Sequence, residues 1–400
     1  MKGARLVSFL IGAVIVTACG STTTGGGAYS GKVIKLGAIL SITGPGGVYG
    51  PQSRDGMKLA VKQINAAGGV NGATIQLTIN DDASLKPQAA QLAQTLIQGE
   101  QDLALLGPTL SNSAVAAHPL AESLKTPILA VSTTGIHIVP DCNWSVTSPD
   151  TTPCKFVFRD SLGEETAIPD NIQSYAADAH PKTGVLLVAS DDKFSSDGGQ
   201  IVQSTVGKYS INLLKVIKFL KAEDVTPYVT QAVQLNPDVI FITSLGAIPS
   251  KIMIEARKEN WKGQFLGGNG FNTSTVSGAA GASGMGARSA SAWYLGNTFP
   301  SNAEFVAAYK AQYNKDPDQF AAQGYTAIKI LADAAQRASM TFSNLASDRN
   351  KLRAAMESVN IQSPLGPFQF TSTHDVKQTV WIIAMNGTGG FTLVHEIKAS

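Results

Sequence analysis

The chain is long enough for two domains, and its charge excludes a polyanionic partner. It has 400 residues, 44% of them hydrophobic, and a domain usually holds about 100 to 200 residues. The 31 basic residues nearly balance the 29 acidic ones, so no basic surface for a nucleic acid is indicated. Two lobes are therefore the expected organisation.

The N-terminus has the layout of an export signal. Lys2 and Arg5 precede an apolar run at residues 6–16 and a Val-Thr-Ala-Cys sequence that ends at Cys19. A run of about eleven residues cannot cross a bilayer that needs roughly twenty. The Val-Thr-Ala-Cys sequence resembles the bacterial lipobox, which implies that residues 1–19 are a signal peptide and that Cys19 carries a lipid anchor. The alternative is an ordinary cleaved signal.

The segment after Cys19 differs from the rest of the chain. Residues 20–31 are rich in Gly, Ser and Thr and are predicted to form a flexible tether, because they have little to bury. From Val33 onward, apolar runs alternate with amphipathic stretches. They predict strands at 33–40, 74–79, 103–106 and 128–131, and helices at 54–67, 87–98 and 113–124.

Two cysteines follow this first series. Cys142 and Cys154 are close in sequence, and an exported protein meets oxidising conditions, so we predict a disulfide between them. A metal site there is disfavoured because no His or further Cys lies nearby.

A second series follows, and the rest of the chain is mainly helical. Predicted strands lie at 184–189, 213–219, 239–243 and 265–267, and helices at 198–209, 225–235 and 249–260. Three more helices, at 302–314, 321–338 and 348–359, precede a terminal hairpin formed by 379–385 and 391–397. Apolar strands separated by helices predict an α/β fold with two Rossmann-like, doubly wound parallel sheets.

Few motifs in the sequence indicate catalysis. The Gly-rich segment at 44–47 has no following Gly-Lys-Ser/Thr, so it is not a phosphate loop. The five histidines show no metal-ligand spacing. The pairs at 81–82 and 191–192 are predicted to cap helices or to line a cleft at the ends of strands, rather than to hold a metal. We therefore expect no enzyme, no cofactor and no metal.

Several motifs together resemble the branched-chain amino-acid (Leu/Ile/Val) periplasmic binding proteins of ABC importers. They occur in order along nearly the whole mature chain, at 39–45 (ILSITGP), 49–50 (YG), 56–60 (GMKLA), 64–72 (INAAGGVNG), 81–82 (DD), 106–108 (LGP), 132–134 (STT), 158–159 (FR), 191–192 (DD), 267–270 (GGNG), 324–327 (GYTA) and 365–370 (LGPFQF). An ordered set of this kind is far more specific than any one member.

The resemblance implies two Rossmann-like lobes joined by three hinge crossings, near Phe158, Trp293 and Pro367. Lobe one would comprise 32–157 and 297–363, and lobe two 158–296 and 364–400. A small polar solute, such as an amino acid or a related carboxylate or amide, would be held between the lobes and delivered to an ABC permease. We expect a lipid-anchored monomer with no covalent chemistry of its own.

The resemblance also implies a set of ligand-binding residues. Ser111, Ser132 and Thr134 match positions that hold the ligand carboxylate with hydroxyl and backbone N–H groups. Tyr49 and Phe194 match aromatic positions that face the solute. Leu245 falls where a side chain of lobe two meets the ligand, although core packing is the alternative for it.

Asn269 departs from the family pattern. Amino-acid binders have Asp or Glu at this place, which pairs with the ligand ammonium, and an amide cannot supply that charge. The missing charge could come from Asp191 or Asp192, or the solute could carry no ammonium. Phe271 would either line such a site or pack outside it.

Two other functions are compatible with the same fold. A ligand sensor would signal to a membrane receptor or regulator instead of a permease. A hydrolase would act in the cleft, but no nucleophile-base-acid set is recognisable in the sequence.

Overall fold

The computed structural model describes residues 27–139 and 154–399. The signal peptide with Cys19, most of the predicted tether, and Cys142 lie outside the described residues. Cys154 is buried among apolar side chains of the first lobe, while its predicted partner falls in the segment that is not described. The lipid anchor and the disulfide therefore stay predictions.

Strands and helices alternate through most of the described chain. The first part contains β1 (Val33–Leu40), α1 (Gly50–Ala66), β2 (Thr74–Asp81), α2 (Lys86–Gln94), β3 (Ala104–Leu106), α3 (Ser111–Ser123), β4 (Ile128–Ala130) and β5 (Val157–Arg159). The middle part contains α4 (Glu164–Ala179), β6 (Thr183–Ala189), α5 (Lys193–Thr205), β7 (Asn212–Phe219), α6 (Thr226–Gln234), β8 (Val239–Thr243), α7 (Ile248–Lys258), β9 (Gln264–Gly267), α8 (Ser274–Ala280) and β10 (Arg288–Ser291). The last part contains α9 (Pro300–Tyr313), α10 (Gln319–Arg337), α11 (Leu345–Met356), β11 (Ile361–Ser363), β12 (Gly366–Phe368), β13 (Val380–Met385) and β14 (Phe391–Ile397).

The first sheet is parallel throughout and forms the centre of lobe one. Its strand order is β2-β1-β3-β4-β5. Successive side chains of β1 face opposite sides, as a strand requires: Leu36, Ala38 and Leu40 pack with α1, α10 and α11, whereas Ile39 packs with α2 and α3. Both faces are thus covered, which explains why the strands are apolar throughout.

The second sheet forms the centre of lobe two and mixes strand directions. Its order is β14-β13-β10-β9-β8-β6-β7, and β13 runs antiparallel to both β10 and β14. Val185 and Leu187 of β6 pack against α6 and α7, while Leu186 and Val188 pack against α4 and α5. The predicted fold of two mainly parallel, helix-covered sheets is confirmed, with the terminal hairpin added to the edge of the second sheet.

The crossings between the lobes lie at residues 160–163, 292–299 and 369–379. Trp293 lies in the second of these segments, and its side chain packs with Phe305 and Tyr309 of lobe one. Phe158 lies instead within β5 of the first sheet, and its ring stacks on His374 with centroids 4.0 Å apart. Phe368 and Phe370 also pack in lobe one, so the chain returns to lobe two later than Pro367. Aromatic packing on lobe one accounts for both shifts.

The folded part begins before the predicted end of the tether. Tyr29 is buried in lobe one and its ring meets Phe342 edge-on, at a centroid distance of 5.0 Å. The Met340 N–H donates to the Tyr29 hydroxyl at 2.9 Å. The Tyr29 N–H also donates to the Asn71 carbonyl at 2.8 Å, and composition alone does not indicate these contacts. Within residues 27–139 and 154–399, no helix combines the length and hydropathy needed to cross a membrane.

Candidate functional site

Most of the predicted site residues surround one cavity between the lobes. The cavity has a volume of ≈ 10 Å³, which is room for about one water molecule. The lobes are thus closed on each other. The residues around the cavity are Tyr49, Thr109, Leu110, Ser111, Ser132, Phe194, Leu245, Asn269, Gly270 and Phe320. Thr134 is the one predicted member that does not line it.

Hydroxyl groups of lobe one form the polar wall of the cavity. Ser111 is the first residue of α3, and its Oγ accepts a hydrogen bond from the Gly135 N–H at 3.2 Å. Because Oγ is the acceptor in that contact, its proton can be donated elsewhere. The Ser132 hydroxyl donates to the Thr109 carbonyl at 3.0 Å. The N-terminus of the thirteen-residue α3 adds a partial positive charge at the same wall, so this side of the cavity favours an anionic group.

Tyr49 connects the two lobes through backbone atoms. It lies between a short 3₁₀ turn and α1 in lobe one. Its hydroxyl donates to the Gly270 carbonyl at 3.0 Å and accepts from the Gly246 N–H at 3.0 Å, both in lobe two. Gly246 has φ +67°, and a Cβ there would lie 2.9 Å from the Pro45 carbonyl oxygen of lobe one. The closed approach of the lobes therefore requires glycine at this position.

An apolar cluster closes the other side of the cavity. Tyr49, Leu110, Phe194, Leu245 and Phe320 pack together there, and the Tyr49 and Phe320 rings are 4.9 Å apart at 49°. Phe194 and Leu245 belong to lobe two, whereas the other three belong to lobe one. The cluster is thus assembled only when the lobes meet.

The Asn269 amide is engaged by the protein itself. Its Oδ1 accepts from Gln319 Nε2 at 2.5 Å, and its Nδ2 donates to the Ser132 carbonyl at a long 3.4 Å. Gln319 lies on α10 of lobe one and accepts in turn from the Ala292 N–H at 2.7 Å and the Ser291 hydroxyl at 2.6 Å. Asn269 is therefore part of a buried amide network that joins the lobes, beside the cavity that it lines.

Thr134 faces a buried acid instead of the cavity. Its hydroxyl donates to Glu164 Oε1 at 3.2 Å, and its carbonyl accepts from the Glu164 N–H at 2.9 Å. The Asn269 N–H donates to the same Oε1 at 2.8 Å. Glu164 is the first residue of α4, directly after the first crossing. This carboxyl group thus meets both lobes at the hinge.

The Glu164 side chain is shielded from solvent. The residue is 0% exposed, and its Oε2 has no hydrogen-bond partner among the described residues. Burial raises the pKa of Glu164 to about 8, while the Asn269 N–H and the Thr134 hydroxyl act to lower it. A Cβ at Gly268 would lie 2.2 Å from Oε2, so a larger residue there would displace the carboxyl group.

A buried arginine organises the hinge beside Glu164. Arg159 is 1% exposed and pairs with Asp375 of the third crossing and with Glu165, the latter at 2.6 Å. Its Nη1 donates to the Gly135 carbonyl at 3.4 Å. Burial lowers the pKa of Arg159, but the two carboxylates outweigh burial and raise it overall. The first and third crossings are therefore linked through one fully charged side chain.

The two acidic pairs act as caps and turn anchors. Asp81 accepts from the Ile42 N–H at 2.9 Å, and Asp82 accepts from the Ser41 hydroxyl at 2.7 Å. Asp192 caps α5 through the Ser195 N–H and accepts from Asn112 Nδ2 of lobe one at 2.9 Å. Neither pair lines the cavity. Within residues 27–139 and 154–399, no group of His, Cys, Asp and Glu could hold a metal ion.

Five residues at or beside the cavity were missed in the sequence, namely Thr109, Leu110, Glu164, Gln319 and Phe320, and one open alternative is resolved. Glu164 resembles an ordinary acid at a helix start, while Gln319 and Phe320 begin a helix far along the chain. Of these last three residues only Glu164 has a local signal in the sequence, because the Gly163-Glu164-Glu165 run lies near a predicted crossing. Phe271 packs in the core of lobe two and does not line the cavity.

Comparison with known proteins agrees with this architecture. A family model described as periplasmic binding protein matches residues 33–390. The leucine-, isoleucine-, valine-, threonine-, and alanine-binding protein of Pseudomonas aeruginosa is 23% identical over 384 residues, which cover 94% of each chain. Two solved structures share the fold with a TM-score of 0.81 and 22% identity. One is the branched-chain amino acid transporter substrate binding protein LivJ from Streptococcus pneumoniae in complex with isoleucine, covering 92% of this chain and 100% of that one. The other is an R. palustris ABC-transporter solute binding protein in complex with benzoate, covering 92% and 97%.

Proposed function

The chain belongs to the periplasmic binding protein family, and on that basis we propose that it captures a small organic carboxylate between its two lobes. The observation that carries the proposal is the pair of unlike walls that face each other across the interlobe cleft; the solute would enter between them while the lobes are apart, because the closed lobes leave room for about one water. Ser111 and the N-terminus of α3 suit a carboxylate on one side. The rings of Tyr49, Phe194 and Phe320 suit an apolar body on the other.

Lobe closure makes this arrangement selective. The apolar cluster and the Tyr49 hydrogen bonds form only when the lobes meet. A solute that contacts both walls therefore favours the closed state over the open one, which is all that hinge closure needs. Isoleucine and benzoate, bound by the two structural relatives, represent solutes with and without an ammonium group.

The proposal is tested by native mass spectrometry of the purified protein and a thermal-shift screen with matched pairs of compounds. Benzoate is paired with benzamide, and L-isoleucine with isoleucinol, so that only the carboxylate differs. We expect a carboxylate to raise the melting temperature and its neutral partner to do so far less; saturation at 100 times Kd adds about 2.7 kcal/mol to the stability. Equal shifts within both pairs would overturn the carboxylate assignment.

We further propose that the loaded protein delivers its solute to an ABC permease as a lipid-anchored monomer. The support is the family membership together with the lipobox-like sequence at Cys19. Replacing Cys19 with Ala should release the protein from the membrane fraction while leaving solute binding unchanged. Uptake of the labelled solute by cells that lack the gene should fall, and unchanged uptake would count against delivery.

A further inference from the structure

We propose that Glu164 is a positioning residue that couples closing of the cleft to the uptake of one proton. The inference rests on the proposed capture of a solute between the lobes, because it concerns the equilibrium between open and closed forms. It makes the closed form, and with it solute affinity, weaker as pH rises.

The first support is the position of the carboxyl group between the lobes. Glu164 Oε1 accepts from the Thr134 hydroxyl of lobe one and from the Asn269 N–H of lobe two. Thr134 and Asn269 approach each other only in the closed form, and Glu164 then holds both. Opening the lobes separates these groups and admits water to the first crossing.

The second support is the lack of a counter-ion. Within residues 27–139 and 154–399, no salt bridge to Glu164 is found. The charged groups that face it are Glu165 on its own helix and Arg159 on β5. Arg159 is already paired with Glu165 and with Asp375. Asp160 of the crossing is a second buried acid, and burial raises its pKa well above the usual value. The surroundings thus hold no cation to spare for an ionised Glu164.

The direction of the pH effect follows from the two environments. In the closed form the pKa of Glu164 is about 8, whereas a hydrated glutamate has 4.5. Between these two pKa values the closed form therefore binds more protons than the open form. The contribution of the proton to closing is complete only below the pKa of the open form and is lost as pH rises to that of the closed form. The closed-to-open ratio is expected to fall about tenfold per pH unit between about pH 5 and 8, the slope for one linked proton.

The test uses the solute-free full-length protein, with fluorophores on exposed positions of α2 and α5. Single-molecule energy transfer measures the closed-to-open ratio between pH 5 and 9. We expect the ratio of the wild type to fall with pH, and that of Glu164→Gln, which is isosteric with the protonated acid, to fall less steeply by the slope of one proton, any remaining fall being that of Asp160. Glu255→Gln removes the same charge from the surface of α7 and should behave as the wild type. Equal slopes in the wild type and Glu164→Gln would overturn the proposal.

A second variant covers the case in which Glu164→Gln does not fold. Thr134→Val keeps Glu164 but removes a hydroxyl that donates to its ionised form. The closed-to-open ratio should therefore go on falling to a higher pH than in the wild type. The infrared C=O band of the protonated carboxyl should persist to a higher pH in this variant than in the wild type. An unchanged band in Thr134→Val would overturn the assignment. Because no solute is present, these results are independent of whether the carboxylate screen succeeds.

Discussion

The cavity and the hinge lie side by side, but their polar groups are used in opposite ways. At the cavity, Ser111 keeps a proton to donate, and Ser132 and Tyr49 bind backbone atoms around an open space. At the hinge, two residues beyond Ser132, the hydroxyl of Thr134 is committed to Glu164. Within the motif at 132–134, Ser132 therefore faces the solute cavity, whereas Thr134 contacts the hinge.

Similar residues in one motif therefore need not share a role. Charges are absent from the walls of the cavity, where a solute can supply its own. They are concentrated at the hinge, where Arg159, Glu165 and Asp375 satisfy one another. Removing an ion-pair partner at the hinge should thus lower the free energy of unfolding, whereas changes at the cavity should alter affinity.

The largest expected effect is that of Arg159→Met. Removing the buried guanidinium leaves Asp375 without its cation and should cost about 3 to 5 kcal/mol of unfolding free energy, measured by urea denaturation. Arg337→Met is the matched control, because its pair with Asp333 is partly exposed and should contribute less than about 1 kcal/mol. Similar losses in the two variants would remove the distinction between hinge and surface.

The next largest effect should come from Tyr49→Phe. The ring remains, but the Gly246 N–H and the Gly270 carbonyl lose their partner in the closed form, at a cost of about 1 to 3 kcal/mol. Calorimetric titration should show solute affinity falling about 10- to 100-fold, with little change in unfolding of the free protein. Tyr325→Phe removes a hydroxyl that bonds Gln63 at the surface and should leave affinity unchanged. Affinity retained in Tyr49→Phe would show that the hydroxyl does not hold the lobes.

A smaller loss of affinity is expected for Ser111→Ala. A donor to a charged carboxylate contributes about 1.5 kcal/mol, so binding of carboxylates should weaken about tenfold by calorimetry. Ser123→Ala, at the other end of α3, is the control for effects on the helix. Equal affinities of Ser111→Ala and Ser123→Ala would place the carboxylate elsewhere.

The smallest effect, and the one that discriminates between solutes, is expected for Asn269→Asp. An aspartate can still accept from Gln319, but its second oxygen would lie near the Ser132 carbonyl, where Nδ2 now lies 3.4 Å away. Binding of benzoate should weaken, while an ammonium group could pair with the new charge. We expect the affinity ratio of isoleucine to benzoate to rise about threefold, or about 0.7 kcal/mol. A constant ratio would show that the solute does not reach residue 269.

Much of the fold could be predicted because its strands are apolar and separated by amphipathic helices. The predicted bounds of β1, β8 and β14 agree with the structure. β10 was missed because its sequence, Arg-Ser-Ala-Ser, has no apolar run although the strand lies inside the second sheet. α4 was missed as well: Pro169 interrupts it, although Ala167, Ile168, Ile172 and Ala176 recur at helical spacing and are buried.

The candidate site could be predicted only where local sequence indicates it. Ser111 and Asn269 follow strands at their carboxyl ends, so the rule for open sheets places them near the cleft. Gln319 and Glu164 depend on contacts between segments 50 and 105 residues apart in sequence. No periodicity or propensity encodes such pairings, and they are visible only once both lobes are built.

The hydrogen bonds from Tyr49 to lobe two affect how new binding specificities can arise. Its hydroxyl contacts only main-chain atoms of Gly246 and Gly270, which remain available when nearby side chains change, provided that residue 246 stays glycine. Substitutions at Phe194 or Leu245 can therefore reshape the cavity without removing the contact that closes it. A library at these two positions, on an otherwise constant scaffold, is a direct starting point for biosensors tuned to different acids.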